Sequence, residues 1–165
     1  MKEKYIKYFM DVAELTANLS NAVKLKVGTV IVKDDRIISC GYNSTPAGWD
    51  NSCEEEVDIT NTEFRTLSGI EQSEYRFVSN MIEECWQKLK THDHVIHSEA
   101  NALSRLAKST ESGVDSILFS TVLPCINCAK SIYSSGIVLV YYKYEYKNTD
   151  GMEFLLKCGI PCIKI

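Results

Sequence analysis

The chain has 165 residues, 45% hydrophobic and 24% charged, ordinary globular values with enough length for one full core. A net charge of −4 and a pI near 5.4, with Lys and Arg scattered, argue against a grip on long nucleic acid and favour a small-molecule ligand. No apolar run approaches the ~20 residues that span a bilayer, and the N-terminus lacks the apolar core of a signal peptide. The expectation is therefore a cytoplasmic protein (host cytoplasm, if viral) without a membrane partner.

Residues 3–19 read as an amphipathic helix, with Ile6, Phe9, Met10, Ala13 and Ala17 on one stripe. Residues 27–32 are a β-branched run and predict a buried strand. The polar turn at 33–36 and the apolar return at 37–43 make an antiparallel hairpin. Pro46 and Gly48 punctuate the loop that follows. Residues 49–70 have no clean period and read as an irregular loop with an acidic run, Glu54-Glu55-Glu56. The stripe Tyr75, Val78, Ile82, Cys85 or Trp86, and Leu89 predicts a helix over 71–90. Residues 49–96 are thus an insertion within a single domain, 1–165.

Beyond it, helices and strands alternate. A helix starts at His97, a strand covers 116–120, a helix runs from about Cys125 to Ser135, and an apolar strand covers 137–142. A helix over 150–158 ends before Gly159, and an edge strand carrying Pro161 closes the chain. Alternation implies parallel strands with right-handed crossovers. The expected fold class is α/β, a mixed five-stranded sheet between helices. Seven cysteines without a secretory context argue against a disulfide framework. Cys40, Cys85 and Cys162 read as buried small hydrophobes, and Cys53 and Cys158 have no assigned task.

Two stretches carry the chemistry: His97-Ser98-Glu99-Ala100-Asn101 and Pro124-Cys125-Ile126-Asn127-Cys128. The i, i+3 cysteines share one face of a helical turn. A helix N-terminus lowers thiol pKa, which makes Cys125 a natural thiolate. His97, Cys125 and Cys128 are three zinc ligands, leaving a fourth position for water. Glu99 is then the acid–base residue. Taken singly, the cysteines could be buried thiols or a redox pair, His97 a core histidine and Glu99 a solvated carboxylate. A structural zinc would need a fourth ligand, from His94 or Cys53, and would leave Glu99 without a task. His92 and His94 could bind metal but read more simply as exposed loop histidines, and Lys130 and Lys143 as solvated or C-terminal charges.

The spacing is the H-x-E…P-C-x-x-C signature of zinc deaminases of nucleobases. The stretch from Leu123 to Ile137 resembles the P-C-x-x-C-A-K-x-I-x-x-S-G-I pattern of the deoxycytidylate (dCMP) deaminases, phage-type members included. Residues 97–102 are similar to H-A-E-x-N-A, 27–32 to V-G-A-x-I-V, and 41–48 to G-Y-N-G-x-P-x-G. The resemblance implies a three-layer αβα cytidine deaminase-like fold and one catalytic Zn²⁺. It implies hydrolysis of dCMP to dUMP and ammonia, with dUMP supplied to thymidylate synthesis. It also implies that Asn43 contacts the deoxyribose and the Ser98 backbone N–H faces the base, in a homo-oligomer, commonly a hexamer. Regulation by dCTP and by dTTP with Mg²⁺ would involve Gly41, Tyr42, Asn43 and Ser44, although Ser44 departs from the family glycine. Lys26, just before the Val27 strand, is either the residue for the 5′-phosphate or an ordinary surface lysine. Some phage members carry an auxiliary zinc; the matching Ala22, Ser52 and Val95 are poor ligands, so that zinc is expected to be absent. The alternatives are another cytosine-containing substrate, a base in tRNA, or a zinc-stabilised nucleotide sensor without turnover.

Overall fold

The structure, a computed structural model, describes residues 1–79 and 84–165. Helix α1 (Glu3–Ala17) leads into the hairpin of β1 (Gly28–Lys33) and β2 (Arg36–Tyr42). The hairpin turns on Asp34 and Asp35, whose φ of 50° and 57° are the left-handed values that a tight two-residue turn requires. The insertion contains β3 (Glu54–Ile59), α2 (Asn61–Thr66), α3 (Gly69–Gln72), β4 (Arg76–Ser79) and β5 (Glu84–Thr91). The alternating half follows as α4 (Ser98–Leu106), β6 (Ile117–Val122), α5 (Ile126–Ser134), β7 (Leu139–Tyr144), α6 (Asp150–Lys157) and β8 (Cys162–Lys164).

The main sheet has the order β2-β1-β6-β7-β8. β1 pairs antiparallel with β2 and β6, whereas β6–β7 and β7–β8 are parallel. This is the mixed five-stranded sheet expected from the sequence. The period-2 alternation of strands sorts its side chains into two cores. Val30, Val32, Phe119 and Tyr141 face α1, where they meet Phe9, Met10 and Ala13. Ile31, Leu118 and Val140 face the other way, onto Ala102 and Leu106 of α4, Ala129 and Ile132 of α5, and Leu155 of α6. Helices therefore cover both faces, which makes three layers. Among the described residues no helix is long and apolar enough to cross a membrane.

The insertion departs from expectation. Among the described residues the helix expected over 71–90 is not found beyond the end of α3: Val78 lies on β4, Cys85, Trp86 and Leu89 lie on β5, and Ile82 falls outside the described residues. Nor is 49–70 an irregular loop throughout, since the acidic run begins β3. The three strands form a separate antiparallel sheet, β3-β5-β4. The reason is cross-strand pairing rather than propensity. Glu55 sits opposite Lys90 and ion-pairs with it at 3.3 Å, and Glu56 reaches Arg76 at 3.2 Å. Trp86 has Ile59 and Phe77 as its strand neighbours, stacks on Phe64 at 3.6 Å, and donates its indole N–H to Asn61 Oδ1 at 2.8 Å. β-Branched and aromatic residues at irregular spacing suit such a sheet as well as a helix face.

Cys53 is buried with Ala22 and Val95 in a small apolar cluster, and Ser52 is exposed, its hydroxyl donating to Glu54 O at 2.9 Å. Cys40, Cys85 and Cys162 are half-buried rather than fully buried. His94 is half-buried too, stacked on His92 and in tilted contact with Trp49, its ring centre 4.7 Å from each. Lys143 is not simply solvated: it pairs with Glu14 of α1.

Candidate active site

His97 and Cys125 are the N-caps of α4 and α5, in extended backbone conformation, and neither side chain caps its own helix. Both side chains are thus free to turn towards each other. Ile96, one residue before His97, is pinned to the end of β2 by a two-way bridge with Ser44, at 3.1 and 2.9 Å. On the other side, β6 runs out through Leu123, whose N–H donates to Tyr144 O at 2.9 Å, and Pro124 into Cys125. Gly151 lets α6 press on this turn, since a Cβ there would lie 2.0 Å from Pro124 O and 2.9 Å from the Cys125 carbonyl carbon. Cys128, one turn further, is buried.

His97 Nδ1 lies 3.6 Å from Cys125 Sγ and 3.5 Å from Cys128 Sγ. All three donor atoms lie within 4.8 Å of one another. A tetrahedral zinc with ordinary Zn–N and Zn–S bonds sets nitrogen and sulfur about 3.6 Å apart. The donor set and its spacing fit zinc, and among the described residues no other cluster of potential ligands comes together.

The electrostatics show what the triangle does with protons. The Cys128 thiol donates to Cys125 and, against the cost of burial, lowers Cys125 to about 3, with His97 assisting. Cys128 is pushed up by that same donation, by its burial and by the Glu99 charge. His97 is raised by its bond to Cys125, partly offset by burial. Without metal these shifts favour a thiolate at Cys125 and hold protons on His97 and Cys128. A dication replaces those protons.

Glu99 is only 4% exposed. Burial pushes its carboxyl up, while a backbone N–H, His97 and Ser98 pull it back. Ser98 Oγ donates to Glu99 Oε2 at 3.0 Å, with Thr29 Oγ1 2.8 Å behind it. Ser98, Thr29 and Ser120 are all fully buried, so this is a dry chain of hydroxyls ending on the carboxylate. A carboxyl held between two opposing influences is suited both to take and to return a proton.

His97, Ser98, Glu99 and Cys125 open onto a cavity of about 370 Å³. That lies within the range of small-ligand sites. Asn43 lines it and also shapes it: its Oδ1 accepts from Val27 N at 2.8 Å and its Nδ2 donates to Leu25 O at 2.9 Å. One N–H and one lone pair of the amide are left for a ligand. Lys26 is exposed and is not in the cavity wall, whereas Lys24 is. Sequence reasoning missed Tyr146, Lys88 and Lys147, which also line the cavity. Tyr146 had a signal, since it follows β7 at the carboxyl edge of the sheet, where ligands gather in α/β folds.

Gly41, Tyr42 and Ser44 are tied to the helix that carries Glu99. A Cβ on Gly41 would lie 2.4 Å from Ser98 O and from Ala102 N, so β2 and α4 touch backbone to backbone. Asn101 Nδ2 donates to Tyr42 O at 2.9 Å and to Ser44 Oγ at 3.3 Å, and the Arg105 guanidinium sits 5.3 Å from the Tyr42 ring centre.

Residues 3–144 match the family described as the cytidine and deoxycytidylate deaminase zinc-binding region. The deoxycytidylate deaminase of Enterobacteria phage T4 is 31% identical over 168 residues, which cover 94% of this chain and 87% of the phage protein. That of Schizosaccharomyces pombe is 33% identical over 152 residues, but this chain spans only 41% of its length. The crystal structure of dCMP deaminase from the cyanophage S-TIM5 in complex with dCMP and dUMP superposes with a TM-score of 0.77. It is 32% identical, and the match covers 100% of this chain and 99% of that one. The chain belongs to the dCMP deaminase branch of the zinc-dependent cytidine deaminase superfamily.

Proposed function

We propose that this cavity hydrolyses dCMP to dUMP and ammonia. The observation that carries the reading is the His97–Cys125–Cys128 triangle beside the buried Glu99, in a chain similar over its full length to a dCMP deaminase solved with dCMP and dUMP. Zinc held by the triangle supplies a water acidified towards neutral pH. Glu99 takes the proton of the attacking water and delivers it to ring nitrogen 3 of cytosine, as attack at carbon 4 makes that carbon tetrahedral. Glu99 then takes the remaining proton from the new hydroxyl on carbon 4 and gives it to the amine, so that the C–N bond breaks, ammonia leaves and a carbonyl forms at carbon 4. The Ser98 backbone N–H and Asn43 hold the base and the deoxyribose, and Tyr146 closes the wall beside Cys125. The same resemblance extends the reading to a hexamer that dCTP activates and dTTP with Mg²⁺ inhibits. Its support is the run from Gly41 to Ser44, tied to the helix that carries Glu99.

The test offers dCMP, dCTP, deoxycytidine and cytosine side by side to the zinc-loaded protein, with and without dCTP as effector. dCMP should be the preferred substrate by a wide margin. Turnover confined to any of the others sinks the reading.

Ser98 yields a second expectation, because the family pattern has alanine there. Ser98→Ala keeps the backbone N–H but removes the hydroxyl that aims the Glu99 carboxylate. A charge-assisted hydrogen bond is worth roughly 1.5–3 kcal/mol, so kcat should fall about tenfold while KM stays near its original value. A kcat equal to that of the parent protein would mean that the hydroxyl only fills space.

A further inference from the structure

Three lysines from three separate parts of the chain converge on the mouth of the cavity. Lys24 lies in the α1–β1 loop, Lys88 on β5 of the insertion, and Lys147 in the β7–α6 loop. Between them stands one carboxylate, Glu74, also in the cavity wall. Its two oxygens are divided: Oε2 lies 3.5 Å from Lys88 Nζ and Oε1 lies 3.6 Å from Lys147 Nζ. Lys88 is the most enclosed of the cations, its side chain 24% exposed and its ammonium 4.6 Å from the Tyr75 ring centre. Lys24 Nζ is anchored on Leu89 O at 3.1 Å, one residue from Lys88. The other charged groups in the wall have partners of their own. Lys90 pairs with Glu55, and the Glu54 carboxylate accepts the backbone N–H groups of Val23 and Lys24.

We propose that Lys24, Lys88 and Lys147 form the subsite for the 5′-phosphate of the substrate, and that Glu74 occupies it until a nucleotide arrives. The proposal rests on the reading of the cavity as a dCMP site. A single carboxylate spread between ammonium groups it reaches at 3.5–3.6 Å is a loosely held anion. Ion pairs so open to water contribute little. A phosphate monoester brings roughly −1.5 to −2 charges and three acceptor oxygens to the same place, so it outcompetes the carboxylate. A nucleoside without phosphate has nothing with which to displace Glu74. The device therefore selects for the nucleotide and also works against the nucleoside. It gives the insertion a task, since Glu74 and Lys88 both belong to it.

The test measures kcat/KM for dCMP and for deoxycytidine with the zinc-loaded parent protein and with Lys88→Met, Lys147→Met and Glu74→Gln, after metal content and circular dichroism are checked. Lys88→Met should raise KM for dCMP about tenfold and lower the dCMP-to-deoxycytidine preference to match, with the more exposed Lys147 showing a smaller change in the same direction. Glu74→Gln should lower KM for dCMP several-fold. A parent-like preference in every lysine variant that folds overturns the subsite, so the test survives the loss of either one. A parent protein inactive on dCMP overturns the functional reading itself, and the subsite with it; the two failures fall in different arms of the experiment.

Discussion

Glu99→Gln should abolish turnover of dCMP while leaving about one zinc per chain. The substitution is nearly isosteric, and the amide oxygen can still accept from Ser98 Oγ, which stands 3.0 Å from the carboxylate today. Glu99 is 4% exposed, and burial already favours an uncharged group there. The fold therefore has no reason to weaken. The amide cannot shuttle a proton, and this residue must move one in each direction in every turnover. General acid–base groups contribute roughly 10²–10⁴-fold, and serving both halves of the reaction puts Glu99 at or above the upper end. His97, Cys125 and Cys128 are untouched, so metal analysis should match the parent protein. The rate of dCMP loss followed by absorbance, with zinc measured on the same sample, reads both arms. Turnover within tenfold of the parent would remove Glu99 from the chemistry, and a protein that loses its zinc would make Glu99 part of the metal site instead.

The residues legible in advance are those whose local sequence states their task. His97 and Cys125 open helices because each ends an extended stretch just before an apolar helical stripe, and that is visible in one dimension. The hairpin is legible for the same reason: a β-branched run, an Asp-Asp turn and an apolar return. Glu54-Glu55-Glu56 looks like a solvated loop because nothing nearby in sequence reveals Lys90 and Arg76, which neutralise Glu55 and Glu56 across two strand pairings. The helix read over 71–90 fails likewise, since a short apolar stretch takes its conformation from partners, here β3. Lys88 and Lys147 could not be found by spacing, because only tertiary folding brings β5 and the β7–α6 loop to one carboxylate. Lys26 was the reasonable choice at the start of the strand, but the chain turns at Leu25–Val27 around Asn43 and offers Lys24 to the cavity instead. Ser98 lies between the two cases. Its backbone role is implied by the motif, but its hydroxyl acquires a partner only because Thr29 of β1 packs behind it.

Zinc affinity should fall steeply with acid, and Cys128→Ser should both weaken it and flatten that dependence. In the metal-free site the protons sit on His97, raised by its bond to Cys125, and on Cys128, raised by its donation to Cys125. Cys125, lowered to about 3, is already a thiolate. Where both groups are protonated in the free site, binding zinc therefore expels two protons, one from His97 and one from the buried thiol. The sign follows from mass action. A reaction that releases protons is favoured as pH rises, so apparent affinity climbs about a hundredfold per pH unit while both groups remain protonated in the free site. Cys128→Ser removes one of those protons together with a thiolate ligand, leaving a slope of about tenfold per unit and a weaker site. Because Cys128 is 5% exposed, bulk water is poorly placed to replace the lost ligand. Competition against a chromogenic chelator at pH 6, 7 and 8 gives the slopes, and activity regained on adding zinc to the stripped protein ties them to function. A parent protein whose affinity ignores pH would mean that the triangle stands deprotonated before metal arrives. The same slope in parent and variant would mean that Cys128 is not among the groups that release a proton.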